Sequence, residues 1–297
     1  MWFPLILASA FCWAWVSVLD SSLVRQYEKH PLILLWSQSF FTLPVLFFML
    51  FFIDARTSWW PLLALGGILA YIGDNIFFLI LDRIDASVSN ASWSILAIFL
   101  SLAGFLFFGE SWTVTQFLGA MLILGGAFFI SFWHRHILSF RALGLLVGLA
   151  FFYMPYYILK KAALLHGLSV GTVFFWLLIG RELLAFSGAF VVPRLRNRAF
   201  ALVKRVGFKF YLGAGLVILT FFLGEYFGTL AYKLGPVSLV AIVGNTQLFM
   251  VILFAWACQR FVPAYAPKEL LDTHTVRIKL ASFILVFAGL ALLSVST

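Results

Sequence analysis

The chain has 297 residues, of which 64% are hydrophobic, 19% aromatic and only 10% charged. That composition cannot cover a water-soluble surface, so a soluble enzyme or soluble binding domain is excluded and a bilayer is the expected solvent. The formal charge of +9 then reads as membrane orientation rather than nucleic-acid binding, because basic clusters beside spans meet anionic lipid.

A helical span needs roughly 20 mostly apolar residues. Ten such runs are predicted, at 2–19, 31–53, 60–81, 86–108, 112–133, 141–159, 169–193, 210–232, 236–258 and 277–295. Short connections join them and leave no room for a soluble domain. Span 1 opens as MWFPLILASA, without Lys or Arg, and its apolar run continues to Leu19. It is expected to be a retained helix rather than a cleaved signal peptide. Ser9, Trp13, Val16, Ser17 and Asp20 follow helical spacing along one face of it. Asp20 lies near the end of the span and is expected to be solvated.

Span 3 carries AYIGDNIFFLI (70–80), with Asp74 and Asn75 in otherwise apolar surroundings. A carboxylate inside a span costs at least about 2.5–3.5 kcal/mol, and such groups generally face a bundle interior or an aqueous cavity. In span 4, Asn90, Trp93 and Ser94 share one sector. They are expected either to contact substrate or to join helices. Span 5, GAMLILGGAFFIS, has no charge in its core. The following WHRHIL holds His134 and His136, an isolated pair short of the further ligands a metal site requires.

Span 6 presents Tyr153, Tyr156, Tyr157 and Lys160, and Pro155 should bend it locally. Lys160 is expected to snorkel at the membrane edge. Arg181 and Glu182 fall mid-span in span 7. Neighbours on a helix point about 100° apart, so each is expected to find partners on other helices. If Arg181 neutralises one acid, Asp74 and Glu225 are expected to remain for a cation or protons. The segment RLRNRAFALVKR (194–205) reads as a juxtamembrane basic cluster. Span 8 places Glu225 between Gly224 and Gly228, span 9 carries Asn245, and span 10 is an apolar scaffold.

The chain also repeats itself. Ala10-Phe11 and Trp36 recur as Ala150-Phe151 and Trp176 at a spacing of 140; Ile72-Gly73-Asp74 recurs as Leu223-Gly224-Glu225, and Ser87 as Ser238, at 151; Gly126 recurs as Gly289 at 163. Two five-helix units are therefore expected, at 1–137 and 138–297, in one membrane domain. Five is odd, so the second unit enters the bilayer from the opposite side, an inverted repeat suited to alternating access. Loops after odd-numbered spans, taken with the opening residues Arg141, Arg277 and Lys279 of the spans that follow, hold fifteen Lys and Arg, and those after even-numbered spans hold four. By the positive-inside rule both termini are expected outside.

With LDRIDASVSNASWSILAIFLSLAGFLFFGES (81–111) as a Ser/Ala-rich fourth span ending in Gly109-Glu110, the ten-span, two-unit pattern resembles the EamA-type members of the drug/metabolite transporter superfamily. It departs from them in having Ala97-Ile98-Phe99-Leu100-Ser101 where a mid-span proline is common, and Gln259-Arg260 where a second Gly-Glu would stand. The resemblance implies an all-α integral membrane fold in a membrane of bacterial inner-membrane type. It also implies a central cavity lined mainly by spans 1, 3, 4, 6, 8 and 9, and passage of small metabolites without ATP or any cofactor.

Expected substrate contacts are Trp13, Asp74, Asn75, Asn90, Trp93, Ser94, Tyr153, Tyr156, Tyr157, Glu225 and Asn245. Asp74 and Glu225 are the proton-coupling candidates, and Arg181 and Glu182 the charge-pair candidates. The expected function is secondary transport or facilitation of a small amine-bearing or zwitterionic metabolite. Carriage of neutral sugars or nucleosides is the alternative. An intramembrane enzyme built on Asp82 and Asp85 lacks a metal-binding partner motif. The expected partners are a small-molecule substrate, the lipid bilayer and protons; nucleic acid is not among them, and the oligomeric state stays open.

Overall fold

The computed structural model of the chain describes residues 1–28, 30–81, 92–133, 140–263 and 273–296. It is all-helical over these residues. The helices are α1 (Trp2–Gln26), α2 (Pro31–Met49), α3 (Trp60–Leu81), α4 (Ser92–Phe108), α5 (Val114–Trp133) and α6 (Phe140–Leu165). They continue with α7 (Val170–Val191), α8 (Pro193–Arg205), α9 (Phe208–Leu234), α10 (Val237–Gly244), α11 (Gln247–Phe261) and α12 (Thr273–Ser296). Taking α10 and α11 as one interrupted span, six are long and apolar enough to cross a bilayer; three more, α4, α5 and α12, carry shorter apolar stretches among the described residues.

Local chemistry sets many of the ends. Pro31 begins α2, where its missing N–H removes no helical bond. Ser169 caps α7 by accepting the Thr172 N–H at 3.0 Å. The chain leaves α6 through Gly167, whose φ of +84° suits glycine. Gly109, at φ +62°, turns the chain back after α4 so that the Glu110 N–H reaches the Gly104 carbonyl at 3.1 Å. The Glu110 carboxylate then accepts the N–H groups of Val237 and Ser238, filling the anion position at the start of α10.

Three elements differ from the sequence expectation. Segment 194–205 is the helix α8, because its apolar residues recur at helical spacing and bury Ala199 and Leu202 while its basic residues face outward. Arg198 pairs with Glu28 at 2.5 Å, and Arg205 lies 3.8 Å from the same carboxylate, tying α8 to the turn between α1 and α2. Burial alone would raise the Glu28 pKa. The hydrogen bond from Arg198, the His30 N–H and the two arginine charges outweigh it and hold Glu28 below its ordinary value. Span 9 is interrupted at Asn245-Thr246, where the Asn245 amide bonds back to the Ala241 carbonyl at 3.1 Å. Span 6 runs on to Leu165, so Lys160 and Lys161 lie within a helix and are buried.

The two chain halves interlock. α1 packs on α9 and α11, α3 on α6 and α7, α2 on α7, α4 on α6 and α10, and α5 on α12. Glycines make these approaches possible. A Cβ on Gly67 would lie 1.9 Å from the Leu177 carbonyl oxygen, and one on Gly180 would lie 2.0 Å from that of Ala64. No such close approach limits Gly125 or Gly215, which have nothing within 4 Å of a Cβ.

Gly67→Ala and Gly180→Ala should therefore each cost about 1–3 kcal/mol through overpacking and lower the melting temperature in detergent. Gly125→Ala should leave it unchanged. Equal melting of all three would show that α3 and α7 separate without penalty.

Candidate functional site

α1, α3, α4, α6, α7, α9 and α11 bring the polar groups of the interior together. Tyr153 donates its hydroxyl to Asp74, and Arg181 donates Nε to the other oxygen of that carboxylate at 2.5 Å. Asp74 is thus a partner of Arg181. The same guanidinium also reaches Glu182 through Nη1 at 3.0 Å, contrary to the expectation that adjacent residues would not pair. The long, forked guanidinium folds back far enough to span two directions. Ser39 supplies a further bond to Glu182 at 2.9 Å.

Glu225 is organised in the same way. Tyr156 donates to it at 2.6 Å, and the Lys160 ammonium pairs with it. Lys160 is only 1% exposed, so it does not snorkel to the edge. Its ammonium lies 4.4 Å from the Tyr156 ring centroid and 5.0 Å from that of Tyr157, while Arg181 lies 4.7 Å from the Phe221 ring. Each cation is held by a carboxylate and an aromatic face, a combination that offsets lost hydration. The expectation that Asp74 and Glu225 stand free for a ligand does not hold, because both already have a cation.

Asp20 is the exception. It is 5% exposed, so the expected solvation is absent, and Gln38 donates its amide to it at 2.7 Å. No lysine, arginine or histidine pairs with it among the described residues.

Two cavities border these groups. One, of about 60 Å³, is lined by Trp13, Tyr157, Lys160, Glu225, Asn245 and Gln247 among others. The other, of about 30 Å³, is lined by Ser17, Asp20, Gln38, Asp74, Tyr153 and Arg181 among others. Trp13, Trp93 and Gln247 line both. Arg181 and Glu225 both border a smaller void together with Tyr153, Tyr156 and Tyr157. The ion pairs therefore belong to one polar seam. Each cavity has room for about one or two waters.

The structure thus gathers Trp13, Asp74, Trp93, Tyr153, Tyr156, Tyr157, Glu225 and Asn245 around this seam, with Arg181 beside them. Ser94 backs it by donating to Asn245 at 3.0 Å. Asn75 lines neither cavity and instead donates to the Tyr71 carbonyl at 2.8 Å. Asn90, Asp82, Asp85, His134 and His136 lie outside the described residues. Gln38 and Gln247 are wall residues that sequence reasoning did not single out. The signal was present, since each is an amide inside an apolar span.

These features define a multi-pass helical membrane protein with a charged seam at its centre. Its residues 1–132 match the sequence model of the EamA-like transporter family. Over that stretch, which is less than half of its 297 residues, the chain is similar to EamA-like transporters. A solved structure described only as a crystal structure of a protein is similar over 99% of this chain and 96% of its own, with 13% identity and a TM-score of 0.70. At that identity the likeness speaks for the fold alone. No curated protein matches the chain.

Breaking the Lys160 and Glu225 pair on one side should cost about 3–5 kcal/mol, because it strands a buried charge. Lys160→Met and Glu225→Leu should each lower the melting temperature sharply, and the double variant should recover most of the loss. A double variant as unstable as the two losses combined would mean that the groups do not form a coupled pair.

Proposed function

We propose that the protein is a secondary transporter or facilitator of a small zwitterionic metabolite of the amino-acid type, working by alternating access. The observation that carries this reading is Lys160. Its ammonium sits between the Glu225 carboxylate and the faces of Tyr156 and Tyr157, which is how a substrate amine would be held. A simple amine that took this position would leave Lys160 buried without a counter-ion. A zwitterion brings a carboxylate for Lys160 as its ammonium takes Glu225, so the seam stays neutral. Trp93 supports the same reading, since it lines both cavities and its indole N–H is buried without an acceptor.

Alternating access rests on two inverted five-helix units, and several contacts support them. Exchange α1 through α5 for α6, α7, α9, α10 with α11, and α12, and the main packing partners exchange among themselves: α1 on α9 becomes α6 on α3, and α1 on α11 becomes α6 on α4. The 163-residue spacing carries Gly119 to Ser282 and Gly126 to Gly289. The approach of Gly289 to the Gly119 carbonyl is accordingly repeated as that of Gly126 to the Ser282 carbonyl. Ser94 and Asn245, 151 residues apart, hydrogen-bond to each other, as counterparts beside a two-fold axis would. Cavities of about 60 and 30 Å³ leave little room for an amino acid, so on this reading admission accompanies parting of the units.

Proton coupling is assigned to Asp20 rather than to Asp74 or Glu225. Those two acids have cations, whereas Asp20 has the neutral Gln38 amide, and a buried carboxylate without a counter-ion is the costlier one to keep charged.

Proteoliposome uptake should be compared for a neutral amino acid, its matching amine, its matching carboxylate, a sugar and a nucleoside. The amino acid should be carried best. Glu225→Gln should reduce its uptake by about tenfold or more, equivalent to roughly 1.4 kcal/mol. Lys160→Met should shift preference toward the amine. A sugar or nucleoside carried better than every zwitterion, with both variants unaffected, would overturn the reading.

In the same vesicles Asp20→Asn should remove the response to an imposed pH gradient while substrate counterflow continues. A parent protein indifferent to the gradient would remove proton coupling altogether.

A further inference from the structure

A groove of about 260 Å³ opens between α2, α8 and α9, away from the central seam. Trp36, Phe40 and Phe41 of α2, Phe200 and Val203 of α8, and Tyr211 of α9 line it. Phe40 and Phe200 are each nearly half exposed, so the groove is open along its side. In a membrane protein that opening faces lipid.

The mouth of the groove is basic. Arg196, Phe200 and Lys204 stand at i, i+4 and i+8 on α8, so one positive side chain lies a turn before the groove-lining Phe200 and one a turn after it. Both are exposed. The α8 arginines that do pair, Arg198 and Arg205, turn toward Glu28. Neither Arg196 nor Lys204 has an acidic partner among the described residues. α8 itself contains no acid.

Trp36 supplies the independent observation. It is 1% exposed, lines the groove, and its indole N–H is buried without a hydrogen-bond acceptor. It lies five residues into α2, about 7–8 Å from the helix start. With the start of α2 taken as the bilayer edge, that is about the level of the interface beneath the headgroups, where tryptophan is favoured. An indole N–H at that level lacks only an oxygen.

From these features we infer that the groove is a binding site for one anionic phospholipid molecule. Its acyl chain lies between the aromatic rings, its phosphate contacts Arg196 and Lys204, and an ester carbonyl accepts the Trp36 N–H. Each part of the lipid meets the matching chemistry in the correct order of depth. A free phosphate would use only the two exposed cations, and an uncharged or zwitterionic lipid would use only the groove.

Purified full-length protein should be examined by native mass spectrometry and by thermal melting in detergent after addition of dioleoyl phosphatidylglycerol, dioleoyl phosphatidylcholine or inorganic phosphate. Phosphatidylglycerol should be retained as one tightly held molecule, at least fivefold more than phosphatidylcholine, and should raise the melting temperature. Inorganic phosphate should do neither. The R196Q/K204Q double variant, altered at two exposed positions, should lose the preference, whereas Arg56→Gln, an exposed charge outside α8, should keep it. Phosphatidylglycerol with brominated acyl chains should quench the fluorescence of the parent protein more than that of Trp36→Phe. Equal retention of both lipids, an unchanged preference in the double variant, protection by phosphate alone, or quenching independent of Trp36 would each overturn the assignment.

Discussion

The architecture depends on keeping charge neutral in a dry interior. Buried acids and bases are tolerable only as pairs with satisfied hydrogen bonds, and here the main partners come from distant parts of the chain. Tyr153 and Arg181 serve Asp74, while Tyr156 and Lys160 serve Glu225. These bonds join α6 and α7 to α3, and α6 to α9. Formation of the charged seam therefore also requires the two chain halves to interlock. The small residues along the helix contacts, Gly67 and Gly180 above all, allow the close approach of α3 and α7.

The pattern of charge differs between the two halves of the proposed repeat. At a spacing of 140, Asp20 stands where the second half has Lys160, and at 151 Asp74 corresponds to Glu225. In the second half the pair is complementary and makes its own salt bridge. In the first half both positions are acidic and cannot neutralise each other. Compensation comes from Arg181, which corresponds to Phe41, and from the Gln38 amide. The proposed repeat is thus asymmetric in its electrostatics, and of Asp20, Asp74 and Glu225 the one left without a cation among the described residues is Asp20.

Much of the fold could be read in the sequence because a bilayer imposes a simple rule: an apolar run of sufficient length must become a helix. The acids of the seam were visible for the same reason, since a carboxylate in a span needs a purpose. The pairings were not visible. Nothing in the spacing of Arg181 and Glu182 foretells that one guanidinium serves two acids, and Lys160 reads as terminal because the apolar run of span 6 ends at Leu159, six residues before the helix does. Segment 194–205 reads as a juxtamembrane basic cluster by composition, and its helix lies in the period, since Leu195, Ala199 and Leu202 follow helical spacing. The interruption at Asn245-Thr246 was hidden by continuous hydropathy, which does not register an amide turning back on its own helix.

On the proposed function, the seam would couple substrate to opening. The bonds that a zwitterion would replace are the bonds between helices: Lys160 to Glu225 links α6 to α9, and Arg181 to Asp74 links α7 to α3. In the closed arrangement each ion satisfies its partner across a helix boundary. A ligand that offers both charges can satisfy the same groups from within the cavity, so the boundary no longer carries the penalty of stranded ions. Its differential interaction with parted and closed states would then shift the equilibrium. A ligand with one charge relieves only one member of a pair and leaves the other to hold the helices shut. Selectivity and conformational control would then come from one requirement, that no buried ion is left alone.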